Sequence, residues 1–375
     1  MGAGALLTQR DAHTGPTPGR RPNILFALTD NQSWSHCSAM GDPVVRTPAF
    51  DRVAAAGMLC RHAYAPSPSC TPSRSAILTG QDMWRLEEAG LLHGGFPATF
   101  PVYTQALADA GYHVGYTGKG WGPGRWDSHG RERDPAGVAY NSRRDRAVPR
   151  GIARLDYAGN FDAFLNDRET AQPFCFWFGA REPHRPFPEG LGDAAAAARV
   201  RVPAFLPDVE TVRRDYLDYY AEVEWQDRHL GRMLDRLAEL GELDNTLVVV
   251  TSDNGIQMPR GITTLYDHGT RVPLAVCWGN RLQGGQTSDA FINLTDLAPT
   301  FLEAAGLRVP EATTGRSLLA LLDGEEDASA RDAVFTGIER HTVCRPGELP
   351  YPSRAIRTSD YLYIRNYEPD RWPAG

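Results

Sequence analysis

Short apolar runs and helix-period stretches alternate along this chain. Residues 23–29, 114–117, 174–179, 246–251 and 273–278 are compact apolar runs followed by polar or glycine-containing loops. That is the pattern of strands buried on both faces. Between them, residues 48–56, 103–110, 157–166, 211–240 and 294–305 carry apolar side chains at helical spacing. In the longest, Tyr216, Tyr219, Tyr220, Val223, Leu230, Met233, Leu234 and Leu237 form a core-facing stripe, and Gly241 is placed to end the helix. The alternation predicts an α/β fold with a mostly parallel central sheet flanked by helices. After Ala330 the pattern turns β-like over 333–337, 354–357 and 361–366, which predicts a smaller α+β subdomain. The expected organisation is a disordered tail over 1–20, a main domain over 21–330 and, over 331–375, the start of a C-terminal subdomain that the chain cuts short.

In open α/β sheets, ligands bind beyond the carboxyl ends of the strands. Four strands here end in residues with chemistry: Asp30-Asn31, Lys119, His184 and Asp253-Asn254. Carboxylates and amide carbonyls suit a hard divalent cation, although each Asp-Asn pair alone is also an ordinary turn former. Lys119 stands between Gly118 and Gly120, and His184 follows the apolar run 174–178 in a Pro-His-Arg-Pro context. Cys70 lies in a Pro/Ser-rich turn, expected to be exposed, at the entry to the helical pattern Ala76-Ile77-Leu78. A thiol at a helix N-terminus beside Arg74 is expected to be acidic and reactive, whereas a lone cysteine is otherwise a small buried residue.

Composition narrows the partners. The 375 residues are 42% hydrophobic, enough for one big domain with an appendage or for two domains. A formal net charge of -7 speaks against nucleic acid, whose backbone rewards basic patches. No apolar run approaches the ~20 residues that span a bilayer, so no membrane association is expected. Ala3-Gly4-Ala5-Leu6-Leu7 is too short for a secretory signal. As written the chain is expected in the cytoplasm, and in the periplasm or outside the cell if its true N-terminus differs. The cysteines Cys37, Cys60, Cys70, Cys175, Cys277 and Cys344 lack metal-type pairing, and Cys175 and Cys277 fall inside strand patterns as core residues.

The stretch Ser69-Cys70-Thr71-Pro72-Ser73-Arg74, continuing into Leu78-Thr79-Gly80, resembles the maturation signature of type I sulfatases, Cys-x-Pro-Ser-Arg followed by x-x-x-Leu-Thr-Gly. The resemblance runs from about Pro22 to the last residue. Residues 246–256, Leu265-Tyr266 and Tyr351-Pro352-x-Arg354 look most like the heparan N-sulfatase (sulfamidase) group and its bacterial relatives. It implies the alkaline phosphatase-like sulfatase fold. It also implies that a maturation enzyme converts Cys70 to formylglycine, and that Asp30, Asn31, Asp253, Asn254 and the modified Cys70 bind calcium. Arg74 and Lys119 would then polarise the aldehyde hydrate and sulfate oxygens, and His184 would bind sulfate and protonate the leaving group. Trp121, His341 and Arg354 would contact the substrate, a sulfated saccharide losing a sulfate ester or N-sulfate.

The chain departs from the family at three places. Asn31 stands where aspartate is usual, which removes a negative charge from the metal site. Trp121 replaces a histidine, so its indole is expected to stack on a sugar while His129 or His268 serves as base. Ile262 occupies a region that usually holds Arg or Lys, and Arg260 is the expected compensation. Two other readings stand beside the sulfatase. One is a phosphonate or phosphodiester hydrolase of the same superfamily; the other is a non-catalytic binder of sulfated glycan.

Overall fold

The structure, a computed structural model, describes residues 20–279 and 281–373. The tail expected over 1–20 lies outside the described residues except for Arg20. Strand β1 (Asn23–Thr29) is central, pairing in parallel with β5 (Phe174–Gly179) on one side and β6 (Thr246–Ser252) on the other. Beyond β5 come β3 (His113–Gly118) and the two-residue β4 (Val138–Ala139). Beyond β6 come β7 (Arg271–Trp278), β2 (Met58–Tyr64) and β8 (Gln286–Asn293). β7 runs antiparallel to both β6 and β2, and every other pairing in this sheet is parallel.

Alternate residues of β1 enter opposite cores. Ile24, Phe26 and Leu28 pack under α2 (Cys70–Thr79), α3 (Tyr103–Asp109) and the helix Leu297–Ala304, through Ile77, Leu107 and Phe301. Leu25 and Ala27 pack under α1 (Pro48–Ala56), α4 (Tyr157–Asp167) and α5 (Glu210–Glu239), through Val53, Phe161 and Met233. Both faces of β1 are therefore dry, which is why its interior, Ile24 to Leu28, is uniformly apolar. The α5 stripe from Tyr216 to Leu237 is buried as its spacing predicts. Gly241 follows that helix at φ +64°, donating to Ala238 O at 3.0 Å.

Three short strands, β9 (Ala333–Ile338), β10 (Ser353–Thr358) and β11 (Leu362–Asn366), form a separate antiparallel sheet. Val334 packs it onto Tyr64 and Phe291, and Ile338 and Ala355 pack it onto Leu265. Strands β2 and β8 were not expected from the pattern. β2 carries Arg61 and His62 mid-strand, and β8 carries Gln286, Ser288 and Asp289. These partly exposed strands lack the continuous apolar run that marks the centre of the sheet. Among the described residues, no helix is long and apolar enough to cross a membrane.

Candidate active site

The four strands that end in reactive residues are neighbours in space, in the order β3, β5, β1, β6. Lys119, His184, Asp30-Asn31 and Asp253-Asn254 therefore converge on one edge of the sheet. Lys119 is placed by a close backbone approach: its N–H donates to Gly179 O at 2.7 Å. Gly118 has φ +82°, and a Cβ there would meet Gly179 O at 2.0 Å, so only glycine fits. Asn31 holds φ +76°, a left-handed conformation that asparagine tolerates better than most residues.

Helix α2 begins at Cys70 itself, and all ten of its residues are buried. The expected exposed turn is thus corrected: Cys70 is 3% exposed. The expected acidic thiol is corrected too. Burial pushes Cys70 up to about 12, against the opposing pull of Lys119. The polar residues of α2 tie it to the strand-end loops. Cys70 Sγ lies 3.5 Å from Asp30 Oδ1, 3.8 Å from Asn31 Oδ1 and 3.7 Å from Asn254 Nδ2. Thr71 donates to Pro123 O and Ser73 to Asp253 O. Arg74 donates from Nε to Asp253 Oδ2 at 2.8 Å, and from Nη1 to Lys119 O at 3.0 Å and Gly120 O at 2.8 Å. A guanidinium so enclosed holds the loops together through Nε and Nη1, while Nη2, buried without a hydrogen-bond partner, remains as a free donor.

Lys119 Nζ sits 2.6 Å from Asp30 Oδ2 and 4.0 Å from Asp253 Oδ2. Burial raises Asp30, but Lys119, Arg74 and His184 outweigh it and hold the carboxyl below its usual range. Burial raises Asp253 despite Arg74, and the Asp30 charge adds to the shift. Two buried carboxylates and a sulfur whose ligand atoms lie within 4.8 Å of one another form a cluster that a cation would relieve. Asn254 Oδ1, buried without a hydrogen-bond partner, is a further free oxygen donor in the same place. The oxygen-rich set fits a hard divalent ion.

A cavity of about 610 Å³ adjoins this cluster, lined by Asp30, Lys119, Arg181, His184 and Glu222 among others. His184 Nδ1 is 2.6 Å from Arg185 O, which leaves Nε2 for a ligand. His341 Nδ1 meets Ser69 Oγ at 2.9 Å, beside Cys70. Burial, then His93, His184 and Lys119, lower His341 to about 4. His341 therefore stands next to the start of α2, and exposed His93 is near enough to bear on its charge.

Other expectations fail. Trp121 borders the cavity, but the residue is only 5% exposed, and its ring packs on Phe96 at 5.1 Å and donates Nε1–H to Ser75 Oγ at 2.7 Å. Its indole is core, leaving no face for a sugar. Arg354 pairs with Glu339 and lies over the Trp84 ring, so it locks the small sheet and does not reach the cavity. His129 pairs with Glu88 at 2.9 Å, and His268 packs between Trp34 and Phe205; neither lines the cavity as a substitute base. Arg260 lies over Phe205 and Tyr266, away from Cys70, and does not replace a cation at Ile262. Glu222 was missed, although its signal is legible: a charge within the buried row of α5, between Tyr219 and Val223.

Comparison with known proteins agrees with this geometry. Residues 22–307 match the family model described as sulfatase, and residues 262–373 match that described as N-sulphoglucosamine sulphohydrolase, C-terminal. The chain is similar to an ulvan-active sulfatase of Formosa agariphila, 30% identical over 358 residues, covering 92% of this chain and 66% of the relative. It is also similar to human N-sulphoglucosamine sulphohydrolase, 28% identical over 390 residues, covering 92% of this chain and 74% of the relative. The chain therefore spans about two thirds to three quarters of the length of these relatives. A protein solved with its substrate D-glucosamine-2-N,6-O-disulfate shares the fold at TM-score 0.70 and 23% identity, covering 94% of this chain and 92% of that one. The phosphonate monoester hydrolase of Silicibacter pomeroyi shares it at TM-score 0.74 and 20% identity, covering 92% and 87%.

Proposed function

We propose that this chain, which belongs to the sulfatase family, hydrolyses a sulfate ester or N-sulfate on a saccharide such as a glycosaminoglycan fragment. The observation that carries the reading is the packing of Cys70 Sγ, at the start of α2, against Asp30, Asn31 and Asn254. Asp30, Asn31, Asp253, Asn254 and the modified Cys70 would hold a divalent cation, with calcium favoured, and the ion would neutralise charge on sulfuryl oxygens. Oxidised to formylglycine by a maturation enzyme, Cys70 would supply an aldehyde hydrate as nucleophile.

The remaining work falls to side chains already in place. Lys119, a point charge on the cavity wall, neutralises Asp30 and attracts a sulfuryl oxygen. His184 keeps Nδ1–H on the Arg185 carbonyl, so its Nε2 faces the task of passing a proton to the departing oxygen or nitrogen. Arg74 fixes Asp253 and the Lys119 loop and so holds the spacing between cation site and cavity.

The test is a desulfation screen on O- and N-sulfated saccharides, run with phosphate and phosphonate esters and with mass spectrometry of the Cys70 peptide. Saccharide desulfation by protein carrying formylglycine supports the reading. Faster turnover of phosphonate esters would replace it with the phosphonate hydrolase. Saccharide binding without turnover, in protein carrying formylglycine, would leave the glycan binder.

A further inference from the structure

The cavity beside Cys70 contains a carboxyl group that this reaction leaves unused. Glu222 lies on the buried face of α5, 2% exposed, and lines the cavity with Asp30, Lys119 and His184. Its Oε2 is buried and has no hydrogen-bond partner. Neighbouring buried acids are satisfied. On the same helix, Asp218 accepts from Gly190 N at 3.0 Å and Gly192 N at 2.9 Å, and Asp227 from Ala49 N and Phe50 N, both at 2.9 Å. Glu182 accepts from Ala153 N at 3.0 Å and from the Tyr157 hydroxyl at 2.7 Å.

A buried oxygen without a partner is destabilising, so its place in a cavity wall calls for a ligand group to complete it. Burial, then the Glu182 charge, raises the Glu222 carboxyl to about 9. A carboxyl group accepts hydrogen bonds and, when protonated, also donates one. A sugar hydroxyl has the same dual character.

We propose that Glu222 is a substrate-binding residue that hydrogen-bonds a hydroxyl of the sugar ring bearing the scissile sulfuryl group, selecting saccharides over sulfate esters without ring hydroxyls. This rests on the sulfatase reading above. A site built to hydrogen-bond a substrate group discriminates against analogues that lack it, because its own polar atom is then left unpaired.

The experiment compares kcat/KM for a sulfated saccharide and for an aryl sulfate in the parent, Glu222→Gln and Glu222→Leu, with thermal melting of each. Glu222→Gln keeps the shape and secures the test if Glu222→Leu does not fold. The saccharide-to-aryl ratio should fall about tenfold or more in Glu222→Leu, and less in Glu222→Gln, which still donates and accepts. If Glu222→Leu does not fold, a fall of a fewfold in Glu222→Gln is the supporting result. An unchanged ratio in the folded variants, with or without a common fall in both rates, would overturn the proposal. If the parent hydrolyses neither ester, the sulfatase reading fails separately. Saccharide affinity by calorimetry then decides, with weaker binding by the variants supporting Glu222 and equal binding overturning it.

Discussion

Arg74 and Asp253 form an ion pair, Nε to Oδ2 at 2.8 Å, in which neither side chain is exposed to solvent. The pair joins α2 to the end of β6, so the helix bearing Cys70 cannot move independently of the cation site. Removing one partner of a buried pair leaves the other charge uncompensated, which costs about 3–5 kcal/mol. Arg74→Met should lower stability by that order in urea denaturation and abolish activity; a variant as stable as the parent would refute the bracing role.

Cys70→Ala should eliminate turnover while preserving the fold, because the thiol contributes only a small buried volume next to polar groups. Cys70→Ser should also fail to turn over, since a serine hydroxyl has no geminal oxygen with which to expel sulfate. Near-parental activity in a folded Cys70→Ala protein would overturn the assignment.

Calcium should raise the melting temperature by mass action, and chelator should reverse it, about 2.7 kcal/mol being available at a hundredfold excess over Kd. Asn31→Asp adds a third carboxylate beside Asp30 and Asp253, and the left-handed backbone at this position tolerates aspartate. It should therefore destabilise the metal-free protein and tighten calcium binding. Calorimetry showing weaker binding would count against the cation site.

Trp121→Ala should act on stability more than on substrate recognition. The indole is buried against Phe96 and bonded to Ser75, so truncation should cost about 3–5 kcal/mol, measured by denaturant titration. A stable variant with a raised KM would restore the stacking role that burial argues against.

His36 is buried among Tyr216, Tyr219 and Tyr220, and burial, with His268 adding, lowers it from 6.5 to about 3. The folded state therefore holds this histidine neutral where the unfolded chain protonates it. Its contribution is complete above pH 6.5 and is lost as pH falls toward about 3, on the order of 4 kcal/mol in all. His36→Gln should flatten the stability loss between pH 6 and about 4. An acid limb identical to the parent's would exclude His36 as its source.

The centre of the fold was legible because β1, β5 and β6 are dry on both faces, and the strand-end rule then placed Asp30, Lys119, His184 and Asp253 together. α2 was misjudged because Thr71, Ser73 and Arg74 look solvent-seeking in sequence, whereas each is buried and hydrogen-bonded to a loop distant along the chain. Trp121 and Arg354 were assigned from the family resemblance, but Ser75 and Glu339, on other elements, decide what they do. Such long-range partners leave no periodic trace.

The register of β1 sets an order of events during synthesis. Phe26 pairs with Trp177 on one side and Val249 on the other, so β1 waits for partners formed some 150 and 220 residues later. Until β6 has emerged, one flank of β1 is an open template for any other extended chain. A ribosome-bound nascent chain ending before residue 246 should therefore lean on chaperones, and Asp30 meets Asp253 only after β6 has been made.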